Sequence, residues 1–528
     1  MADDQARRWA AIAAKARAVS VESAPAVPHR GLITATIICA CVMQGVDTTI
    51  ANVALPHMQG SLSAAQDQIS WVLTSYIVSA AIMMPLTGWL AARFGVKYLF
   101  LASVIGFTLA SALCGAATSL SQLVFYRILQ GVCGAGLVPL GQATLFTIYP
   151  RERHGYAMAI FSTGAMMGPI IGPTLGGWLT ENLDWRWCFY INLPFGALVA
   201  LGVFVFIRPS RPTQSNQFDM FGFAMLSIAV GSLQLMLDRG QLKDWFNSTE
   251  IWIEATIAAL CFYLLIVHTV TAGERSFLNR DLLKRPNFVA GSLLMFGVGM
   301  ILSGTLALMP TMMQVLLNYP VFDAGWIMAP RGFGTMLAMF IVARLINRVD
   351  TRLFILVGFL LTAVSLWQMT GFSLLMGSGP ILFASFAQGF GLGCTFVPMN
   401  LLALSGLPHH LLTQGTAMRH LMRMLGGSIG IAVLQTQLTQ NTQIVHSRLI
   451  EHLRPDNPVA QAPFLSAPFS LTNPSGIAAL NHEVTRQAAM IAYIDDFALM
   501  LIVILASLPL LLLVRVPRQR PIAAAADD

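Results

Sequence analysis

Apolar residues along this chain come in long blocks, separated by short connections that carry the charges, prolines and glycines. A helix needs about twenty apolar residues to cross the hydrocarbon of a bilayer, and the blocks reach that length. Reading them in order predicts helical spans at 33–56, 70–91, 98–118, 121–148, 156–180, 187–207, 219–238 and 250–270. A second series follows at 288–314, 323–346, 353–373, 380–403, 413–437 and 494–515. The pattern therefore predicts an all-α polytopic membrane protein with about 14 transmembrane helices.

The basic residues support both the count and an orientation, because short cytoplasmic loops are enriched in Lys and Arg. Arg93 and Lys97, Arg151 and Arg153, Arg208 and Arg211, the group Arg275, Arg280, Lys284 and Arg285, and then Arg344, Arg348 and Arg352 all fall in even-to-odd connections. Arg515, Arg518 and Arg520 join the same side, whereas the connections 58–68, 118–122 and 317–324 hold no Lys or Arg. Both termini are expected in the cytoplasm. Residues 1–30 read as a cytoplasmic tail, since Arg7, Arg8, Lys15 and Arg17 interrupt any signal-peptide core, and 516–528 as a second tail. The connection 438–493 is exceptional: long, polar and carrying Pro455, Pro458, Pro463, Pro468 and Pro474. It is expected on the outer face, either as a poorly ordered loop or as a docking surface for a partner.

Composition agrees: of 528 residues, 56% are hydrophobic and 10% charged, against roughly 25% charged in soluble proteins. A net charge of +7 raises nucleic-acid binding, but the cations sit between apolar blocks rather than on one soluble surface, so headgroups and topology account for them. The seven cysteines lie in or beside apolar blocks without metal-ligand spacing. No nucleophile–base pair, phosphate-binding GxxxxGK[ST] loop or metal cluster occurs, so neither an enzyme, nor a cofactor, nor an in-chain ATP motor is expected.

Charges inside spans are costly and point to function. Asp47 lies within the first span, flanked by Gln44 and Asn52; Arg127 lies in the fourth, with Gln130 one turn on. Burial favours the neutral form of a carboxyl and a nearby cation favours the charged form, so an acid whose surroundings alternate can load and release a proton. Asp47 is the proton-coupling candidate; Gln44, Asn52, Arg127 and Gln130 form a candidate polar relay. A purely structural hydrogen-bonding role for the same residues remains open. In the fifth span Gly164, Gly168, Gly172 and Gly176 recur every four residues beside Gly177, with Pro169 and Pro173. This predicts a bent, closely packed helix that could serve as a hinge or gate. Arg419 and Arg423 share one face of the thirteenth span and read as snorkelling cations, a gate being the alternative. Asp495 and Asp496 stand at the edge of the last span, where solvation is expected.

Leu90-Ala-Ala-Arg93-Phe-Gly-Val-Lys97 and Leu345-Ile-Asn-Arg348-Val-Asp-Thr-Arg352 share a spacing, and each follows the second span of a half, as in transporters built from internal repeats. Several ordered motifs then give the chain a family likeness. Asp47-Thr-Thr-Ile-Ala-Asn52-Val-Ala-Leu-Pro56, Gly88-Trp-Leu-Ala-Ala92-Arg93-Phe-Gly95-Val-Lys97, Arg127 with Gln130 and Gly131, Gly168-Pro169 to Gly177, and Trp185-Arg186-Trp187 to Asn192-Leu-Pro194 follow one another along the chain. With these the chain resembles the fourteen-span drug:proton antiporters of the major facilitator superfamily, EmrB/QacA type, from about residue 30 to 515.

The resemblance implies the major facilitator fold: a six-helix half at 31–210, two additional helices at 215–272, and a second six-helix half at 286–515. It implies export of amphipathic or hydrophobic small molecules in exchange for protons, in a bacterial inner membrane. Gly88, Arg93, Gly95 and Lys97 would form a gating loop, with Ala92 where the family usually has Asp. A periplasmic membrane-fusion adaptor and an outer-membrane channel are implied as partners. Uptake or facilitated passage of a metabolite on the same fold is one alternative; a non-transporting membrane receptor or scaffold is another.

Overall fold

A computed structural model describes residues 28–150, 153–209, 218–272, 276, 280–346, 348–404, 407–451, 453 and 473–514, and among them the chain is helix and short connections. The first series consists of α1 (Arg30–Ser61), α2 (Trp71–Met83), α3 (Leu86–Phe94), α4 (Val96–Gly115), α5 (Leu120–Gly134), α6 (Leu137–Ile148), α7 (His154–Asn182) and α8 (Asn192–Phe206). Pro85 cannot donate a backbone hydrogen bond, and there α2 and α3 bend by 56° within one span. Two helices follow, α9 (Met220–Arg239) and α10 (Thr249–Thr271). The second series is α11 (Pro286–Thr311), α12 (Val321–Leu345), α13 (Thr351–Met369), α14 (Ser378–Leu404), α15 (His409–Ile450) and α16 (Pro474–Ser507).

Among the described residues twelve helices are long and apolar enough to cross a membrane, and the bent α2–α3 pair makes a thirteenth. Helix α15 is too polar to qualify by composition, but it packs along α11 within the bundle, which gives fourteen. Apolar side chains such as Leu198, Leu201 and Phe204 on α8 and Trp252, Tyr263 and Ile266 on α10 face outward. A contiguous surface of that kind requires lipid to cover it.

In the first series α1 packs on α7, α2 on α5, and α4 on α5 and α8; in the second α11 packs on α15, α12 on α14, and α13 on α14 and α16. Helices α9 and α10 pair with each other, and α9 also touches α2 and α15, one from each series. Thr74 on α2 donates to Asp238 at the end of α9, and the Trp245 indole, just beyond α9, donates to Thr436 on α15 at 2.8 Å. The two series meet along α7 and α12, where Gly325 approaches Thr174, Met339 takes a bond from Thr163, and Ile346 lies on Gly155.

One expectation is corrected. The segment 438–493 is not a loop at either end: α15 runs on to Ile450 and α16 begins at Pro474. Pro455, Pro458, Pro463 and Pro468 lie outside the described residues. With 42 residues, α15 extends about 63 Å, roughly twice the hydrocarbon thickness. Its C-terminal part pairs with α16 through Asn441 donating to Asp495 at 3.2 Å and His446 bonded to Asn481 at 3.0 Å. Polar composition reads as loop when each segment is taken alone; a helix rich in Gln, Thr and Asn persists because a second helix packs against it.

Candidate functional site

Five elements converge on Asp47, which is wholly buried in α1. Arg127 on α5, equally buried, donates Nη1 to Asp47 Oδ2 at 2.9 Å. Gln130, one turn along α5, donates Nε2 to Asp47 Oδ1 at 2.8 Å and accepts from Arg127 Nη1 at 2.8 Å. Asn192, the first residue of α8, donates to the same Oδ1 at 2.8 Å. The carboxylate thus accepts three hydrogen bonds, one from a cation, as a buried charge requires.

The cation is held from its other sides. Arg127 Nε donates to the Val72 carbonyl on α2 at 3.2 Å, and its guanidinium lies over the rings of Tyr76 (4.9 Å) and Phe189 (5.2 Å). These aromatic faces exclude water while favouring a positive charge. Asn192 also reaches Ser111 on α4 at 2.9 Å, and Ser111 donates to the Phe189 carbonyl at 2.9 Å. Spans that are distant in sequence are in this way tied to one acid.

Asp47, Arg127 and Gln130 therefore share one site. Gln44 stands one tier away, donating to the Tyr76 hydroxyl at 3.5 Å. Asn52 does not take part: it is exposed, because five residues at 100° each rotate it some 140° from Asp47. Asn192, Ser111 and Tyr76 were not among the relay candidates. Only the run ending in Asn192-Leu-Pro194 flagged any of them, since a polar residue at a span's end looks like an ordinary boundary residue.

The glycine repeat of α7 lies against α1. A Cβ on Gly168 would meet Gly45 Cα at 2.6 Å and Val46 N at 2.8 Å, and Gly164, Gly172 and Gly176 are likewise filled by Ile38, Thr49 and Ile50. The backbones of α1 and α7 touch one turn from Asp47. Gly177 faces open space. Helix α7 runs unbroken from His154 to Asn182, so the expected bend does not divide it; the side chain of Pro169 lies outside the described residues, and Pro173 is exposed.

In the α3–α4 loop, Gly95 has φ 83°, a conformation that side chains disfavour, and there the chain turns directly from α3 into α4. Lys97 donates to the Phe204 carbonyl at 2.7 Å, and Arg93 is exposed at the end of α3. Gly88 packs on Gln414 of α15, across the two series. Nearby, Arg419 of α15 donates to Gln142 of α6 at 2.7 Å, and Thr416 donates to the Pro139 carbonyl at 3.4 Å.

Two further expectations are corrected by burial. Arg419 does not snorkel: it is 3% exposed, enclosed between the two series. Asp496 is not solvated: it is wholly buried, and neither carboxyl oxygen has a hydrogen-bond partner. Its helix begins twenty residues before the apolar block, so a residue that looked like an edge position is in the middle of α16.

A bundle of apolar helices in two series, tied across their seam and enclosing a charged pair, is the architecture of a membrane transporter. The chain belongs to the major facilitator superfamily, whose sequence profile matches residues 37–431. It is 35% identical over 469 residues to the multidrug export protein EmrB of Escherichia coli (strain K12), covering 88% of this chain and 91% of EmrB. It is 33% identical over 489 residues to the fatty acid resistance protein FarB of Neisseria gonorrhoeae, covering 92% and 96%. The crystal structure of the human organic anion transporter MFSD10 shares the fold, with a TM-score of 0.58 at 14% identity over 90% of this chain and 100% of that one.

Proposed function

We propose that this chain is a proton-driven exporter of amphipathic or hydrophobic small molecules working by alternating access, with Asp47 as the proton-coupling acid. The observation that carries the reading is the wholly buried Asp47–Arg127 pair at 2.9 Å, joined by Gln130 and Asn192. Protonating Asp47 removes the charge that holds Arg127, so proton arrival and a change in how α1, α5 and α8 pack become one event. Similarity to EmrB over 88% of the chain supports the export direction. One proton crossing 100 mV supplies about 2.3 kcal/mol, enough for a roughly 50-fold gradient of a neutral substrate.

The reading places the chain in a bacterial inner membrane with both termini cytoplasmic, as the alternation of basic connections indicates. It treats 31–210 and 286–515 as halves that rock about the seam, with 215–272 bridging them. The Gly88–Lys97 loop with Gln414, Thr416 and Arg419 closes the cytoplasmic end, and the α7 glycine stripe is the surface on which α1 slides. The paired outer ends of α15 and α16 offer a rigid surface for a periplasmic adaptor and, through it, an outer-membrane channel. The test is accumulation of a fluorescent lipophilic cation and a fluorescent hydrophobic acid. Cells lacking the protein accumulate more of at least one probe if it exports; less accumulation means uptake, and no change with a broad panel means a receptor or scaffold.

A further inference from the structure

The second series carries a counterpart of the Asp47 site with no buried acid on the main helices packed around it; the buried acid of that half, Asp496, stands on α16, which is not among them. In α5 the run Arg127-x-x-Gln130-Gly131 places Gly131 against the Tyr76 carbonyl of α2, 2.5 Å from a would-be Cβ. In α14 the run Ser385-x-x-Gln388-Gly389 places Gly389 against the Arg331 carbonyl of α12 in the same way. Fourth helix meets second helix through a Gln-Gly pair in both halves, as internal repeats require. About three quarters of the way along α11, which opens its half as α1 opens the other, stands Thr305.

Arg331 is 6% exposed, Thr305 is wholly buried and Gln388 is 1% exposed. Arg331 Nη2 donates to Thr305 Oγ1 at 2.7 Å, while Arg331 Nη1 and Gln388 Nε2 have no acceptor. The main helices packed on α12, namely α7, α11 and α14, hold one acid between them, Glu181, which is exposed at the last turn of α7. Arg419 adds a second buried cation with unmatched donors, its Nε and Nη1. Orphaned buried donors around a buried guanidinium are costly and call for an acceptor from outside the chain. In the first half Gln130, which corresponds to Gln388, and a cation on the fourth helix rather than the second surround a carboxylate.

We infer that Arg331, with Gln388 and Thr305, forms a binding site for the carboxylate of an amphipathic organic acid. The inference rests on the export reading and specifies its substrate class. Arg331 Nη1 and Gln388 Nε2 donate to the acid's two oxygens, and the apolar part of the ligand lies against the surrounding helices. The site is closed to solvent in this conformation, and alternating access supplies its opening.

The test uses full-length protein in lipid nanodiscs with three probes: 2-naphthoate, neutral 2-naphthamide, and tetraphenylphosphonium. Wild-type protein binds naphthoate more tightly than naphthamide. Arg331→Gln weakens naphthoate by at least about tenfold, the scale of one charge-assisted hydrogen bond. It leaves naphthamide and tetraphenylphosphonium unchanged, and Arg331→Lys restores part of the loss. Equal naphthoate affinity in a folded Arg331→Gln variant overturns the site. If that variant fails size-exclusion chromatography, Gln388→Leu replaces it; weaker naphthoate binding there supports the site and unchanged binding overturns it. Acetate or chloride binding as tightly as naphthoate shows that the apolar body adds nothing, assigns the site to small anions in general and overturns the substrate class.

Transport in proteoliposomes separates this inference from the export reading. Export of tetraphenylphosphonium with no naphthoate binding overturns the site and leaves export standing. Naphthoate binding that depends on Arg331, without export of any probe, supports the site and overturns export.

Discussion

The Asp47–Arg127 pair can be weighed by a double-mutant cycle. Both side chains are wholly buried, so neither charge has water to turn to when its partner is neutralised. Asp47→Asn leaves Arg127 with neutral acceptors alone, Gln130 Oε1, the Val72 carbonyl and the new amide oxygen; Arg127→Gln leaves the carboxylate with Gln130 and Asn192 and no cation. Stranding one member of a buried pair costs about 3–5 kcal/mol. The double variant has no charge to strand, so its loss should fall at least about 2 kcal/mol below the sum of the single losses, whereas independent sites add to within about 0.5 kcal/mol. Reversible unfolding in mixed detergent–dodecyl sulfate micelles measures all four corners. Losses that add within that margin would show the two charges to be uncoupled and refute the energetic basis of the switch.

Other outcomes follow from packing. Gly168→Ala puts a methyl 2.6 Å from Gly45 Cα, so α1 and α7 must separate by about 1 Å to reach normal contact, at about 1–3 kcal/mol; Gly177→Ala, facing open space, should not lower the melting temperature. Equal effects of the two would show that the α1–α7 contact is not tight. Arg419→Leu removes the 2.7 Å bond to Gln142 and should speed hydrogen–deuterium exchange in 86–94 and 413–420, while unchanged exchange would mean that this bond does not hold the two series together.

The spans and the acid–cation pair were legible because each has a local signal: a block of twenty apolar residues, or a charge inside one. What escaped reading depends on partners far along the chain. Asn192 and Ser111 are ordinary polar residues until folding sets them beside Asp47 and Phe189. Helix α15 continues past its apolar block because α16 pairs with it, and the same extension turns Asp496 from an edge residue into a buried one. Asn52 shows the converse: a polar residue in the right span and motif lay on the wrong face, since helical phase decides what proximity in sequence does not.

Proton movement in proteoliposomes tests coupling at Asp47 most directly. Purified wild type and Asp47→Asn, both checked as folded, are given an inward proton gradient while hydrophobic cations and acids are added in turn. The account predicts proton flux that depends on substrate in wild type and is lost in Asp47→Asn. Substrate-dependent flux of equal size in the variant would contradict it, by removing Asp47 as the coupling acid.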